Sequence, residues 1–294
     1  MNGKLIRFDW AMKKMLRHKA NFGILEGFLS ELLHFDVLIE SILESESNKQ
    51  DEYDKYNRVD ILVKSQNGEL MLVEVQNNSE IDYFHRMLYG VSKLVTEYIK
   101  EGEPYGTIKK IYSINIVYFG LGQGEDYVYE YKGEFVGLHE KDILLPTILQ
   151  KQDYKIEKIA DIFPKYYLLK VNNFNKVAEN TLDEWIYFLK NSEVKDEFVA
   201  KGLNKAKEKL RYEKLSEEDK KIYNRFQENR RIEMSVAYTA KQESRQERNI
   251  EIAKNAIAEG ANDDFIAKIT GLTIEEIQVL RANEQKRDNK SPQE

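Results

Sequence analysis

The stretch RVDILVKSQNGELMLVEVQ, residues 58–76, constrains the fold of this chain more than any other. Two β-branched and aliphatic runs flank Asn67-Gly68, a strong short-range sign of a hairpin. One strand opens with Asp60, and the other closes on Glu74 and Gln76. The register decides whether these polar groups meet. With Asn67-Gly68 as a two-residue turn, Ile61 pairs with Glu74, and Asp60 and Glu74 fall on opposite faces. With Gln66-Asn67-Gly68 as the loop and Gly68 left-handed, Ser65 pairs with Glu69 and Asp60 with Glu74. Gln76 then lies two residues further along the same face. Propensity alone does not choose between the two turns.

The chemistry favours the bulged one. Opposed carboxylates repel, and burial makes that worse. A hard divalent cation between them is the economical solution. Mg²⁺ takes one or two carboxylates, keeps several waters and accepts substrate phosphate oxygens. It lowers the pKa of a bound water and polarises a phosphoryl group. The plain alternative is a pair of strand-end acids facing solvent.

The flanking segments sketch an α/β domain. NFGILEGFLSELLHF spaces Ile24, Leu25, Phe28, Leu29, Leu32 and Leu33 as a helix, with Glu26 and Glu31 at the edges of the stripe. An acidic loop follows. After the hairpin, Phe84, Leu88, Val91, Leu94, Val95 and Tyr98 form a helical face that stops near Gly102. Residues 111–121 and 165–171 read as strands, DYVYEYKGEFVGL as a second hairpin turning at Lys132-Gly133, and TLDEWIYFLKNSE as a helix. The expected division is an α/β domain over 1–195, a charged helical connector over 196–258, a helix-turn-helix-like module over 259–283 and a frayed tail over 284–294. In the module, Gly271 makes the turn, Thr273 caps the second helix, and Ile277 and Leu280 face inward. Glu275 and Glu276 stand where a groove reader needs donors or cations.

Composition excludes several classes. The 294 residues include no Cys, so disulfides, thiolate metal sites and a cysteine nucleophile are ruled out. No apolar run is long enough to span a membrane and no signal-peptide core opens the chain, which points to the cytoplasm. The net charge of −6 argues against a general nucleic-acid coat. Residues 1–20 nevertheless hold six basic side chains, Lys4, Arg7, Lys13, Lys14, Arg17 and Lys19, against Asp9 alone. The four histidines show no ligand spacing, and GLGQGEDY lacks the Lys-Ser/Thr of a phosphate loop.

The set RVD, thirteen residues, EVQ, followed by a helix with FHRMLYGVSKL, resembles the PD-(D/E)XK nuclease core. EPYGTIKKIYSINIVYF, LDEWIYFLK, the charged helical region and IAKITGLTIEEI extend the likeness to the bacterial recombination-promoting nuclease and transposase family of that superfamily. The resemblance implies an αβββαβ mixed sheet flanked by helices, with a helical C-terminal extension. It implies Mg²⁺-dependent hydrolysis of DNA phosphodiesters, with Mn²⁺ or Ca²⁺ as alternatives. Asp60 and Glu74 match the metal carboxylates, the main-chain carbonyl of Val75 a further ligand, and Glu26 a helix-borne acid that completes the shell. Gln76 stands where the superfamily has Lys. It can orient water or donate a neutral hydrogen bond but brings no charge. Arg86 and Lys93 are the candidates to supply that charge, and Arg86 and Tyr89, three apart on one helix face, to meet a DNA phosphate. Glu31 competes with Glu26, and His85 is the nearby histidine.

The expected function is therefore a cytoplasmic, metal-dependent DNA endonuclease tied to recombination or mobile DNA, with no membrane partner and with self-association left open. The alternative from another class is a catalytically inactive DNA- or partner-binding protein on a nuclease fold, which Gln76 keeps alive. A third reading is a helical adaptor working through residues 200–283, which truncation before 200 would test.

Overall fold

The structure is a computed structural model that describes residues 4–43, 58–99 and 101–288; for 58–60 and 285–288 it describes the backbone alone. The expected acidic loop beyond 43 and the end of the expected tail beyond 288 lie outside the described residues. The chain forms two compact units, residues 1–220 and 221–294.

The first unit is built on a six-stranded mixed sheet in the order β1-β2-β3-β4-β6-β5. Two helices open it, α1 (Phe8–Lys14) and α2 (Phe22–Leu33). The strands β1 (Ile39–Leu43), β2 (Arg58–Ser65) and β3 (Leu70–Gln76) then run antiparallel in succession. Helix α3 (Tyr83–Tyr98) crosses over to β4 (Ile111–Val117), which lies parallel to β3. This is the connection that parallel neighbours require. β5 (Val128–Glu130) and α4 (Ile148–Tyr154) precede β6 (Lys165–Lys170), and α5 (Thr181–Asn191) follows. β6 is parallel to β4 and antiparallel to β5.

The hairpin takes the bulged form. Gly68 sits at φ +82°, its N–H bonds the Ser65 carbonyl at 2.9 Å, and the Ser65 N–H bonds the Glu69 carbonyl at 2.9 Å. A left-handed residue at the third loop position is what glycine supplies without strain. The pairing then runs from Lys64 with Leu70 to Arg58 with Gln76, and Asp60 lies opposite Glu74.

α3 covers one sheet face. Leu62, Leu70, Leu72 and Ile111 pack beneath Val91 and Leu94. Val117 and Leu168 pack beneath Tyr83 and Met87. The buried stripe of α3 is thus Tyr83, Met87, Val91 and Leu94, whereas Phe84 and Leu88, expected inside, are half-exposed. The apolar arc is wide enough for either rotation. Tyr83 wins because its hydroxyl also reaches Asn115 Oδ1 at 3.3 Å. The other face, with Ile61, Val63, Met71, Val73 and Val75 buried, lies on the side of α1, α2 and α5, where Phe8, Phe28, Trp185 and Phe188 form an edge-packed aromatic cluster.

Three sequence expectations change. β1 occupies part of the stretch read as acidic loop; it is an edge strand, where charged residues are tolerated on the open side. α1 had no counterpart in the sequence reading. The second hairpin does not form. Instead β5 pairs with the distant β6, Val128 opposite Leu169, and the Tyr131 N–H bonds the Tyr166 carbonyl at 2.9 Å. The chain after Gly133 turns back on itself at an isolated bridge from Val136 to Ile143, where the Leu144 N–H bonds the Phe135 carbonyl at 2.9 Å and the Gly137 N–H the Asp142 carbonyl at 2.8 Å.

Residues 196–215 return to the first unit. The Trp185 indole donates to the Lys201 carbonyl at 3.0 Å, and the Ile6 N–H bonds the Leu210 carbonyl at 2.8 Å. Helix α6 (Leu203–Lys209) packs on α2 across Gly27 and Gly202. Helix α7 (Glu217–Ala258) starts at a Ser216 cap, whose hydroxyl accepts the Asp219 N–H at 3.0 Å.

In the second unit, Ala253 and Ile257 of α7 pack with Ile266 of α8 (Asp263–Thr270) and Ile277 of α9 (Ile274–Asp288). Gly271 ends α8 at φ +73°, and Thr273 and Glu276 close a reciprocal cap on α9.

Candidate active site

Asp60 and Glu74 meet in a particular kind of pair. Ser65 with Glu69 is a hydrogen-bonded position, and such positions alternate along an antiparallel ladder. Counting back, Asp60 and Glu74 fall at a non-hydrogen-bonded position, the closer type for side chains. Val59 and Val75 fall at a hydrogen-bonded one, so the Val75 carbonyl points into the ladder and keeps its second lone pair for another partner.

Glu74 is 3% exposed and Gln76 4%, on the face under α3. Parallel pairing sets Asn115 of β4 beside Glu74. Asn115 does not neutralise it, because its amide donors go to Ser113 Oγ at 2.9 Å and the Tyr167 carbonyl at 3.2 Å. Arg86 of α3 does approach, its Nε 4.0 Å from Glu74 Oε1. The nearest partner of that guanidinium is Glu80, in the turn between β3 and α3. Arg86 Nη1 reaches both Glu80 oxygens at 2.5 Å. Gln76 Nε2 donates to Glu80 Oε1 at 2.7 Å. Glu80 was absent from the sequence reading. Its role depends on a turn that folds back over the strand it leaves, which no periodicity announces.

The Glu80 contact fixes the orientation of the Gln76 amide. An ionised carboxylate only accepts, so the amide nitrogen must face Glu80. Gln76 Oε1 is then left buried without a hydrogen-bond partner. A buried orphan acceptor is rare and needs a ligand or water to explain it.

Beyond Gln76, β3 is pinned from the other face. Arg7 grips Asp9 through Nε at 3.1 Å and Nη2 at 2.8 Å, and Asn77 bridges the two, accepting from Arg7 and donating to Asp9 at 3.2 Å each. The Arg7 guanidinium also stacks 4.9 Å above the Tyr118 ring. Asp9 is 1% exposed, so the basic N-terminal stretch spends Arg7 on anchoring the site rather than on solvent or phosphate.

The other sequence candidates separate. Glu26 Oε1 accepts the Ile39 N–H at 2.9 Å, which commits one oxygen to the start of β1. Glu31 holds Thr181 Oγ1 and the Lys201 N–H, a structural role between α2, α5 and the returning chain. Lys93 is half-buried two helical turns after Arg86, while His85 and Tyr89 are exposed. Among the described side chains, no three His, Asp or Glu gather as a metal cluster; that of Asp60 is not among them. The donors that can be placed are hard oxygens: the Glu74 carboxylate, the orphan Gln76 Oε1 and the register position of Asp60. They fit a hard divalent cation.

A cleft of about 1100 Å³ opens elsewhere on the α3 face, lined by Phe84, Leu88, Tyr131, Phe135, Phe163 and Tyr166 among others. Its lining includes none of Glu74, Gln76, Glu80 or Arg86. Its charged residues are Lys132, Lys158 and Lys165 against Glu130, Glu134, Glu157 and Asp161, a balance unsuited to phosphate. The carboxylate end of the hairpin is therefore the better seat for chemistry.

The model of the PD-(D/E)XK nuclease family transposases matches residues 6–240 of this chain. The chain belongs to that family. The match spans the whole sheet, both hairpin acids and the first half of α7. Membership supports a nuclease or transposase role and implies DNA as the substrate. PD-(D/E)XK nucleases generally use divalent metals, in keeping with the oxygen donors at the hairpin end. No curated protein and no solved structure matches the chain. Among the described residues, no helix is long and apolar enough to cross a membrane.

Proposed function

We infer that this family member is a metal-dependent DNA endonuclease, a cytoplasmic enzyme linked to recombination or mobile DNA. One observation carries the reading: the bulged register sets Asp60 opposite Glu74, with Gln76 beyond them on the same face. The run α2-β1-β2-β3-α3-β4 supports the reading, because its order agrees with the αβββαβ expected of a nuclease core. Asp60 and Glu74 would hold Mg²⁺, with the second lone pair of the Val75 carbonyl as a further donor. Glu26 is not one, because its bond to Ile39, opposite Ser65, holds it at the turn end of the hairpin and on the other sheet face. When bound, the cation supplies Lewis-acid stabilisation of the phosphoryl oxygens and makes water a better nucleophile.

The chain's own side chains do the remaining work. Gln76 Oε1 accepts a hydrogen bond from the attacking water and aims it at phosphorus, in line with the departing sugar oxygen. Gln76 cannot offset developing charge as a lysine would, so that task falls to Arg86, with its planar array of donors. Tyr89 and Lys93 lie on the same helix and extend the surface that meets the DNA backbone.

Nicking of supercoiled plasmid tests the reading, with Mg²⁺, Mn²⁺ or EDTA, beside Asp60→Ala and Glu74→Ala. Nicking that requires the metal and is lost in both variants supports it. Equal nicking by all three proteins refutes it. The clamp on Arg86 favours a second reading, a silent DNA binder, because the candidate counter-charge for the transition state is already held by Glu80. DNA binding without nicking by any of the three would support that second reading.

A further inference from the structure

We propose that Glu80 is a positioning residue that keeps Arg86 off Glu74, so that the hairpin acids can receive a divalent cation, and that fixes Gln76 with its acceptor oxygen toward them. This rests on the metal-site reading above and adds to it a residue outside the Asp, Glu and Gln of the hairpin.

Among the described side chains, the guanidinium of Arg86 has two acids within reach. Glu80 takes Nη1 with both oxygens, while Glu74 stands 4.0 Å from Nε. Arg86 and a divalent cation compete for the same carboxylate. Removing Glu80 leaves the buried Glu74, 4.0 Å away, as an acid within reach of a cation that cannot lose its proton. The guanidinium then closes the 4.0 Å gap and forms a direct, charge-assisted pair. Glu80 also decides which end of the Gln76 amide faces the site. With its nitrogen committed at 2.7 Å, Gln76 presents Oε1, the atom that is buried and unpartnered. Without Glu80 the amide can flip and offer a donor, which repels a cation and misorients water.

The same geometry accounts for glutamine in the lysine position. A lysine at 76 would sit against Glu80 and form an ion pair with it. Its charge would be spent on Glu80 before any phosphate arrived.

The test reads Mn²⁺ affinity on the intact protein, by calorimetry or by loss of the free Mn²⁺ electron-spin signal, with no DNA present. Loss of a residue that orients metal ligands typically weakens metal binding by about 10- to 100-fold, and Glu80→Ala is expected in that range. Adding Arg86→Ala to Glu80→Ala should recover most of the affinity, because the competitor is gone. Recovery is the readout that a merely structural role for Glu80 would not produce. Glu80→Gln, which keeps the shape and loses the charge, serves if Glu80→Ala fails to fold, and should fall between the wild type and Glu80→Ala. Wild-type affinity in Glu80→Ala, or no recovery in the double variant, overturns the proposal. Failure of the underlying metal reading looks different: Asp60→Ala and Glu74→Ala would then bind Mn²⁺ as the wild type does, or the wild type would bind none, and the proposal would fall with it.

Discussion

Replacing Glu74 by Gln should make the metal-free protein more stable and at the same time make it insensitive to metal. Residues opposed at such a position have their Cβ atoms roughly 5 Å apart. At an effective dielectric near 20, two unit charges at that distance repel by about 3 kcal/mol. Glu74→Gln removes this repulsion and the desolvation of a carboxylate that is 3% exposed. Against that stands the lost attraction to Arg86 at 4.0 Å, a charge already shared with Glu80. The balance favours the variant by about 1–2 kcal/mol without metal, the repulsion and the carboxylate's desolvation outweighing an attraction that Arg86 already shares with Glu80. In the wild type, Mn²⁺ at a hundred times its dissociation constant should add about 2.7 kcal/mol, because it binds the folded state alone. Urea unfolding of both proteins, with EDTA and with Mn²⁺, measures all four quantities. A variant that loses about 1 kcal/mol in EDTA, or that gains from Mn²⁺ as much as the wild type, would refute the reasoning.

Three further outcomes follow from the packing and the charges. A Cβ on Gly27 would lie 2.2 Å from the Lys201 carbonyl and 2.6 Å from Gly202 Cα, both backbone, so Gly27→Ala should cost about 1–3 kcal/mol in urea unfolding. Ile277 is fully buried among Ala253, Ile257 and Ile266, so Ile277→Ala should destabilise the 221–294 unit by about 2–5 kcal/mol; hydrogen exchange should show the loss there and leave the sheet protected. Burial, and Lys165 nearby, push the Lys110 ammonium down to about 8, although it donates to the Asp161 and Phe163 carbonyls. Between that value and the ordinary 10.5 the unfolded chain binds more protons, so Lys110 makes stability rise with pH across that window; a comparison of Lys110→Met with the wild type at pH 7.5 and 9.5 should show the rise reduced.

Much of the site was legible because a hairpin translates sequence into geometry almost directly. Asn67-Gly68 marks the turn, the chemistry of Asp60 and Glu74 selects the three-residue loop, and the period of two carries Gln76 to the same face. The α3 stripe was legible to within one residue of rotation. What escaped depends on contacts distant in sequence or on turns without pattern. Arg7 and Asp9 read as part of a basic run, yet they brace Asn77 across about seventy positions. β1 was hidden because an edge strand needs alternation on one side only. β5 was assigned to the wrong partner because a local Lys-Gly turn suggested a hairpin, while the longer β6 offered it a ladder. The returning segment at 196–215 carries charged helix formers and gave no sign that Leu203, Ala206 and Leu210 are buried. A truncation before residue 200 would remove them and the Trp185 partner, so a test of the nuclease-like unit alone has to cut after Lys220.

The most direct test of the account is the anomalous difference density of a Mn²⁺-soaked crystal, collected for the wild type and for Asp60→Ala. The account predicts a peak between the Asp60 and Glu74 carboxylates in the wild type, beside Gln76 Oε1, and none there in Asp60→Ala. Mn²⁺ bound elsewhere, or an Arg86 guanidinium seated between the two acids in its place, would contradict it.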